Sequence, residues 1–193
     1  MKDGKSKKAI TIKNLSFKYD KEYILKDFSL EFEEGKITTI MAPSGYGKTT
    51  ILKVIAGIEK KYEGEIIYNL ENPRFSMVFQ EDRLVENISV LKNIKMVSDK
   101  LCENDIIDEL NKLNIGQYAN TLVRNMSGGE KRRVAIVRAM LAEYDILLLD
   151  EPFTGLDEET KEVTKRYVRN KGKNRTIILV THDVADAEFF GCI

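Results

Sequence analysis

The chain has 193 residues, enough for one domain with a full core and a small inserted subdomain. Its 31 Lys and Arg balance 31 Asp and Glu, which argues against general nucleic-acid binding. An apolar fraction of 42% excludes a disordered or fibrous chain, and no apolar run approaches the roughly 20 residues that cross a bilayer.

Met1 to Lys8 is basic but leads into strand-like alternation, not the apolar centre of a signal peptide. A role at a membrane would therefore run through a partner. Cys102 and Cys192 have neither metal spacing nor framework density, and read as reduced thiols of a cytoplasmic protein.

The first third reads as strands. Ala9–Ile12 and Phe28–Phe32 alternate with period two, with turn-like Asp20-Lys21-Glu22 between them. Lys36–Met41 is a further strand that runs directly into Ala42-Pro43-Ser44-Gly45-Tyr46-Gly47-Lys48-Thr49-Thr50, and a helix over Thr50–Gly57 follows. Two more strands are expected at Glu65–Tyr68 and Phe75–Phe79. From about Ser89 to Tyr118 the pattern is helical, with Ile106, Ile107, Leu110 and Leu113 at helix spacing. The expected organisation is a β subdomain and core over 1–84, a helical insert over 85–125 and the rest of the core over 126–193. That last part holds a helix from Gly129 to about Glu143 and a fully apolar strand, Ile146–Leu149. A helix over 158–170, a buried strand over 176–180 and a last helix over 183–190 complete it. A continuous apolar strand implies burial on both faces, as in a parallel sheet between helix layers.

Strand, glycine-rich loop, Lys-Thr and helix together form the context of a P-loop. Gly45 and Gly47 free the backbone to turn successive N–H groups onto an anion, and the helix adds its positive dipole end. Lys48 would reach the β- and γ-phosphates, Thr49 would place its hydroxyl on Mg²⁺, and Thr50 would contact the α-phosphate. Ala42 stands where the motif has its first glycine. It ends a strand, where an ordinary negative φ suffices. Taken alone, the loop is also compatible with a chance glycine turn.

Asp145-Ile146-Leu147-Leu148-Leu149-Asp150-Glu151-Pro152 is an apolar strand that delivers two carboxylates at its end, where α/β sheets bind ligands. Asp150 suits a Mg²⁺-organising acid, and Glu151 a general base that polarises the attacking water. A solvated pair of strand-end acids is the plainer reading of the same residues.

Met126-Ser127-Gly128-Gly129-Glu130-Lys131 has the capping-box spacing S-x-x-E, yet two glycines in a first helical turn weaken a helix. They are better explained if bare N–H groups approach a ligand. At these residues, with the basic run Lys131-Arg132-Arg133-Val134-Ala135 behind them, the sequence resembles the ATP-binding subunits of ABC transporters. The resemblance covers nearly the whole chain, with the motifs in family order.

It implies an α/β fold: a P-loop NTPase (RecA-like) core with a parallel sheet, an N-terminal antiparallel β subdomain and an inserted helical subdomain. It also implies roles for single residues. Gln80 matches the glutamine that links Mg²⁺ and the attacking water to the helical subdomain. Gly155-Leu156-Asp157 places Asp157 at a subunit interface. Thr181-His182-Asp183 brings His182 to the γ-phosphate, and Tyr19 matches the aromatic that stacks on adenine, with Tyr23 a nearby competitor. Ser127, Gly128 and Gly129 would act on the nucleotide of a second subunit in a head-to-tail dimer. Glu130 replaces the commoner glutamine and is expected to turn back as the helix cap, since an acid aimed at phosphate would be repelled.

The implied chemistry is in-line attack of water on the γ-phosphate of ATP, with Lys48, Mg²⁺ and the opposing Ser127 stabilising the transition state. The implied partners are a second ATPase subunit, transmembrane permease subunits and an extracytoplasmic solute-binding protein. The implied location is peripheral, on the cytoplasmic face of the cell membrane. Gln80-Glu81-Asp82-Arg83-Leu84 looks like the nitrate, sulfonate and taurine importer group, which points to import. A soluble ATPase of cluster assembly or cell division stays open, and the intact Lys48, Asp150, Glu151 and His182 argue against a weakly active regulatory subunit. The chain stops at Gly191-Cys192-Ile193, where family members usually continue, as a minimal or a clipped form would.

Overall fold

The computed structural model describes residues 7–20, 22–43 and 45–191. Strands β1 (Lys8–Tyr19) and β2 (Glu22–Glu33) form an antiparallel hairpin, and β4 (Glu63–Tyr68) pairs with the other edge of β1. Both hairpin strands are much longer than their alternation predicts. The register shifts between Ile12 and Leu15 and again near Phe17, and Asn14 and Asp27 take positive φ. Each bulge resets which side chains face the core, so period-two alternation breaks while the ladder continues.

The second sheet is parallel, in the order β3-β7-β6-β5, from β3 (Ile37–Met41), β5 (Phe75–Val78), β6 (Ile146–Asp150) and β7 (Thr176–Thr181). The buried face-to-face strand expected at 146–149 is present. Ile146 and Leu148 join one apolar cluster with Leu52, Ile55 and the β1 side chains, and Leu147 and Leu149 join the other with Val134, Val137 and Ile94. Helix α1 (Lys48–Ile55) covers the first face, and α4 (Gly128–Leu141) and α5 (Glu158–Lys171) cover the second.

The middle of the chain is helical but broken. Helix α2 (Val90–Lys95) is capped by Ser89 and α3 (Glu103–Asn111) by Cys102, whose Sγ accepts the Asp105 N–H at 3.4 Å. Short turns at Gly116–Tyr118 and Val123–Asn125 complete the segment. Ile94, Ile106, Leu110, Leu113 and Ile115 are all at most 1% exposed and share a core with α4, so this segment packs onto the helix that follows it. Cys102 is an exposed free thiol, and Cys192 lies outside the described residues.

All four parallel strands end on the same edge of the sheet. Met41 is level with Thr181, Asp150 with Val180 and Val78 with Leu149. The loops that leave these ends carry Ala42–Gly47, Gln80, Glu151 and His182, so topology alone gathers residues from four distant parts of the chain.

Candidate functional site

The loop after β3 keeps its ladder for one residue more, as the Ala42 N–H donates to Thr181 O at 3.3 Å. Ala42 is not among the described non-glycine residues with positive φ, and the strand-end position explains why alanine serves there. Pro43 follows, and Ser44 lies outside the described residues. Gly47 is the residue before α1, at φ 77°, with no side-chain cap on the helix. A Cβ there would come within 2.8 Å of Leu25 Cδ2 and 2.9 Å of Ile24 Cγ2, so both conformation and space demand glycine. Gly45 also takes positive φ, and Tyr46 is exposed. The first amides of α1, over Lys48, Thr49 and Thr50, form a donor cluster at the positive end of the helix.

Lys48 is 7% exposed, so its ammonium must find acceptors. It donates to the carbonyls of Ala42 at 2.6 Å and Pro43 at 3.0 Å, and Glu151 Oε1 lies 3.3 Å away. The other oxygen of Glu151 is 2.7 Å from His182 Nδ1. Glu151 itself sits at φ 48°, an uncommon conformation for a side chain of its size, and its N–H bonds to Val180 O at 3.0 Å. One buried carboxylate thus ties the glycine loop to the end of β7. Beyond His182, Lys161 on α5 pairs with Asp183 and, at 3.0 Å, with Asp186, which pins the start of α6 (Val184–Phe190).

Asp150 is 1% exposed, and neither carboxylate oxygen has a hydrogen-bond partner. Burial pushes its pKa above the ordinary range, with the Thr49 side chain pulling the other way. A buried carboxylate without partners is costly unless a cation joins it. No group of three or more His, Cys, Asp or Glu side chains forms a metal cage among the described residues. The arrangement fits a hard cation that keeps water and phosphate oxygens as its other ligands.

Tyr19, Ile24, Gly45, Gly47, Lys48, Thr49, Thr50, Gln80, Glu151, Thr154 and His182 line one cleft of about 310 Å³. Tyr19 is at its rim, half-exposed, with its ring against Phe17 and its hydroxyl donating to Glu59 at 3.2 Å. Tyr23 does not line this cleft. Ile24 and Thr154 escaped the sequence reading. Nothing in their spacing announces them, and only the packing of Ile24 against Gly47 and the position of Thr154 just after Glu151 bring them in.

Two other groups stand apart from this cleft. Ser127 caps α4, its hydroxyl accepting the Glu130 N–H at 3.3 Å while Glu130 Oε2 accepts the Ser127 N–H at 2.8 Å. Glu130 does turn back as the helix cap, and the capping bond with Ser127 lowers its pKa against the effect of burial. A Cβ on Gly128 would meet nothing within 4 Å, and one on Gly129 would make ordinary contacts with Leu156 at 3.5 Å and the Gly155 carbonyl at 3.8 Å. No neighbour among the described residues demands glycine at either position. Asp157 caps α5 by accepting the Thr160 N–H at 3.0 Å.

Fold and edge together define an α/β phosphate-binding cassette with a P-loop core. The family profile described as "ABC transporter" matches residues 25–154, and the chain belongs to that family. Among curated relatives, the spermidine/putrescine import ATP-binding protein PotA of Thermotoga maritima is 37% identical, over 92% of this chain and 53% of that protein. PotA of Mycoplasma capricolum is 31% identical, over 92% of this chain and 55% of its own length. The chain therefore spans about half the length of these relatives. The aliphatic sulfonates import ATP-binding protein SsuB of Bacillus cereus is 34% identical, over 85% of this chain and 69% of that protein. Among solved structures, a dimeric bacterial ABC transporter cassette superposes with a TM-score of 0.81 at 28% identity, covering 94% of this chain and 91% of the other. A second structure of that cassette, in a post-hydrolysis state bound to ADP and Pi, gives 0.80.

Proposed function

We propose that this chain is the ATP-binding and ATP-hydrolysing subunit of an ABC transporter, working in a head-to-tail pair at the cytoplasmic face of the membrane. The observation that carries the proposal is the Lys48–Glu151–His182 chain, buried at Lys48 and Glu151 and open at His182, beside the unpartnered Asp150, at the edge where the glycine loop and α1 offer donors to phosphate. Lys48 is held by loop carbonyls that a phosphate oxygen can replace, so it would turn to the β- and γ-phosphates without moving its backbone. The Thr50 region would take the α-phosphate, and Tyr19 at the rim would stack on the adenine.

Glu151 would accept the proton as a water attacks the γ-phosphorus and the bond to the β,γ-bridging oxygen breaks, with ADP leaving, while His182, bonded to that carboxylate, would orient it and meet the γ-phosphate. Asp150, Thr49 and Gln80 would hold Mg²⁺, which when bound offsets charge on the phosphate oxygens. Ser127, Gly128 and Gly129 do not line the cleft of their own chain, and their bare surface is free for another subunit's nucleotide. Asp157 would lie near that contact.

No helix among the described residues is long and apolar enough to cross a membrane, so the reading includes permease partners. Import is favoured because PotA and SsuB are both named import ATP-binding proteins, and an importer would add an extracytoplasmic solute-binding protein.

Glu151→Gln should keep nucleotide binding and lower turnover by at least about 100-fold, the scale of a lost general base. Unchanged turnover would mean that Glu151 is not the base. Recovery of a permease with the tagged chain after mild detergent extraction tests the transporter assignment separately.

A further inference from the structure

Arg132 is a buried cation to which the functional reading gives no task. It is 4% exposed, early in α4 and just behind the Ser127 cap. One terminal nitrogen donates to Phe79 O at 2.6 Å and to Asp82 Oδ1 at 3.1 Å, and the other donates to Glu151 O at 3.0 Å. Phe79 and Asp82 bracket Gln80, and Glu151 is the carboxylate of the cleft. A single planar group therefore holds the segment before and after Gln80, the backbone of Glu151 and the helix that begins at Ser127.

Two further observations bear on it. The positive φ of Glu151 persists only where its surroundings over-determine it, and Arg132 is one of the groups that fix its peptide. Arg138, further along α4, donates to the carbonyls of Asp82 at 3.3 Å and Arg83 at 3.0 Å, so the same helix grips the Gln80 loop twice. Asp82 is half-buried and its pKa is pushed up by that burial, with Arg132 acting against it.

We propose that Arg132 is a positioning residue that couples the start of α4 to Gln80 and Glu151, so that contact at Ser127–Gly129 is felt at the reacting end of the cleft. The proposal rests on the ATPase reading above. A guanidinium suits the task because its rigid fork serves several acceptors at fixed angles, which a lysine ammonium on a flexible stem does not.

The test compares Arg132→Gln and Arg132→Lys with the wild-type chain in steady-state ATP hydrolysis, fluorescent-nucleotide titration and amide hydrogen exchange. Arg132→Gln should lower kcat by at least about tenfold while KM and nucleotide affinity stay within about threefold, the pattern of a contact felt only in the transition state. Arg132→Lys should fall between the two. Exchange should quicken across 79–83 and 151–154 and stay unchanged across 48–55. A raised KM with kcat intact, or unchanged exchange in both loops, overturns the proposal.

Should Arg132→Gln not fold, Asp82→Asn carries the test, since it keeps the shape and removes one acceptor's charge. It has to lower kcat severalfold and loosen 79–83, and wild-type behaviour in both overturns the proposal. A wild-type chain that hydrolyses no ATP would sink the functional reading instead. The coupling would then stand or fall on the exchange pattern alone.

Discussion

The edge of the parallel sheet and the start of α4 are both glycine-rich helix entries, yet they are finished differently. At the first, the entry residue is a left-handed glycine with no side-chain cap, and the nearby Asp150 oxygens have no partner. At the second, Ser127 and Glu130 close a complete capping box, and the glycines meet nothing that requires them. On the function proposed above, the contrast separates a receiving site from a presenting one. Polar groups left open are costly in a folded chain and are retained where a ligand completes them. A helix end that is already capped is stable alone and can offer its surface to something else.

The strongest way to break this contrast is to damage each half in a different molecule. Lys48→Ala and Ser127→Ala should each lower ATP turnover by about 100-fold or more, as loss of a donor to the transition state does. Mixing the two variants should restore activity that neither shows alone, because a mixed pair keeps one site with both residues. Absence of recovery in a mixture shown to form mixed dimers would refute the head-to-tail arrangement. Ser127→Ala should also cost about 0.5–2 kcal/mol of stability through its lost cap, read by denaturant melts.

A smaller effect sharpens the receiving half. Burial raises the pKa of Asp150 in the folded chain above its unfolded value. The folded state therefore holds that proton more tightly, so stability falls as pH rises from the unfolded pKa to the folded one and remains lower above it. Asp150→Asn should remove this dependence and raise the neutral-pH stability of the nucleotide-free protein by about 1 kcal/mol, the scale of an unpaired buried group. That corresponds to roughly 2–4 °C in Tm for a chain of this size. Metal-dependent nucleotide binding should be lost in the same variant. A lower Tm would show that the carboxylate is satisfied in the folded chain.

The smallest effect concerns the motif's missing glycine. Ala42→Gly should change stability by less than about 1 kcal/mol and leave turnover as it was, since Ala42 continues the β3 ladder and needs no special φ. A large loss in either measurement would mean that the side chain of Ala42 has a part in the cradle.

What the sequence by itself determined is chemistry that local pattern encodes. The glycine loop, the apolar strand ending in Asp150-Glu151, the S-x-x-E cap and the order of the motifs are all short-range features, and each carries its own conformational reason. The same locality explains where pattern and structure part. Bulges at Asn14 and Asp27 disguised two long strands as short ones, and the helical middle was broken by caps at Ser89 and Cys102 that its apolar spacing does not show.

Only the tertiary structure decided which of these groups meet. Arg132 sits in a run of basic residues whose pattern names no partner, and its partners at Phe79, Asp82 and Glu151 lie 53, 50 and 19 residues away. Ile24 enters the cleft because β2 packs behind Gly47, and Glu151 joins Lys48 to His182 because three parallel strands end level. Sheet order and strand register set those distances, and neither is written in any one segment, because both are settled by how the apolar faces of distant segments bury one another.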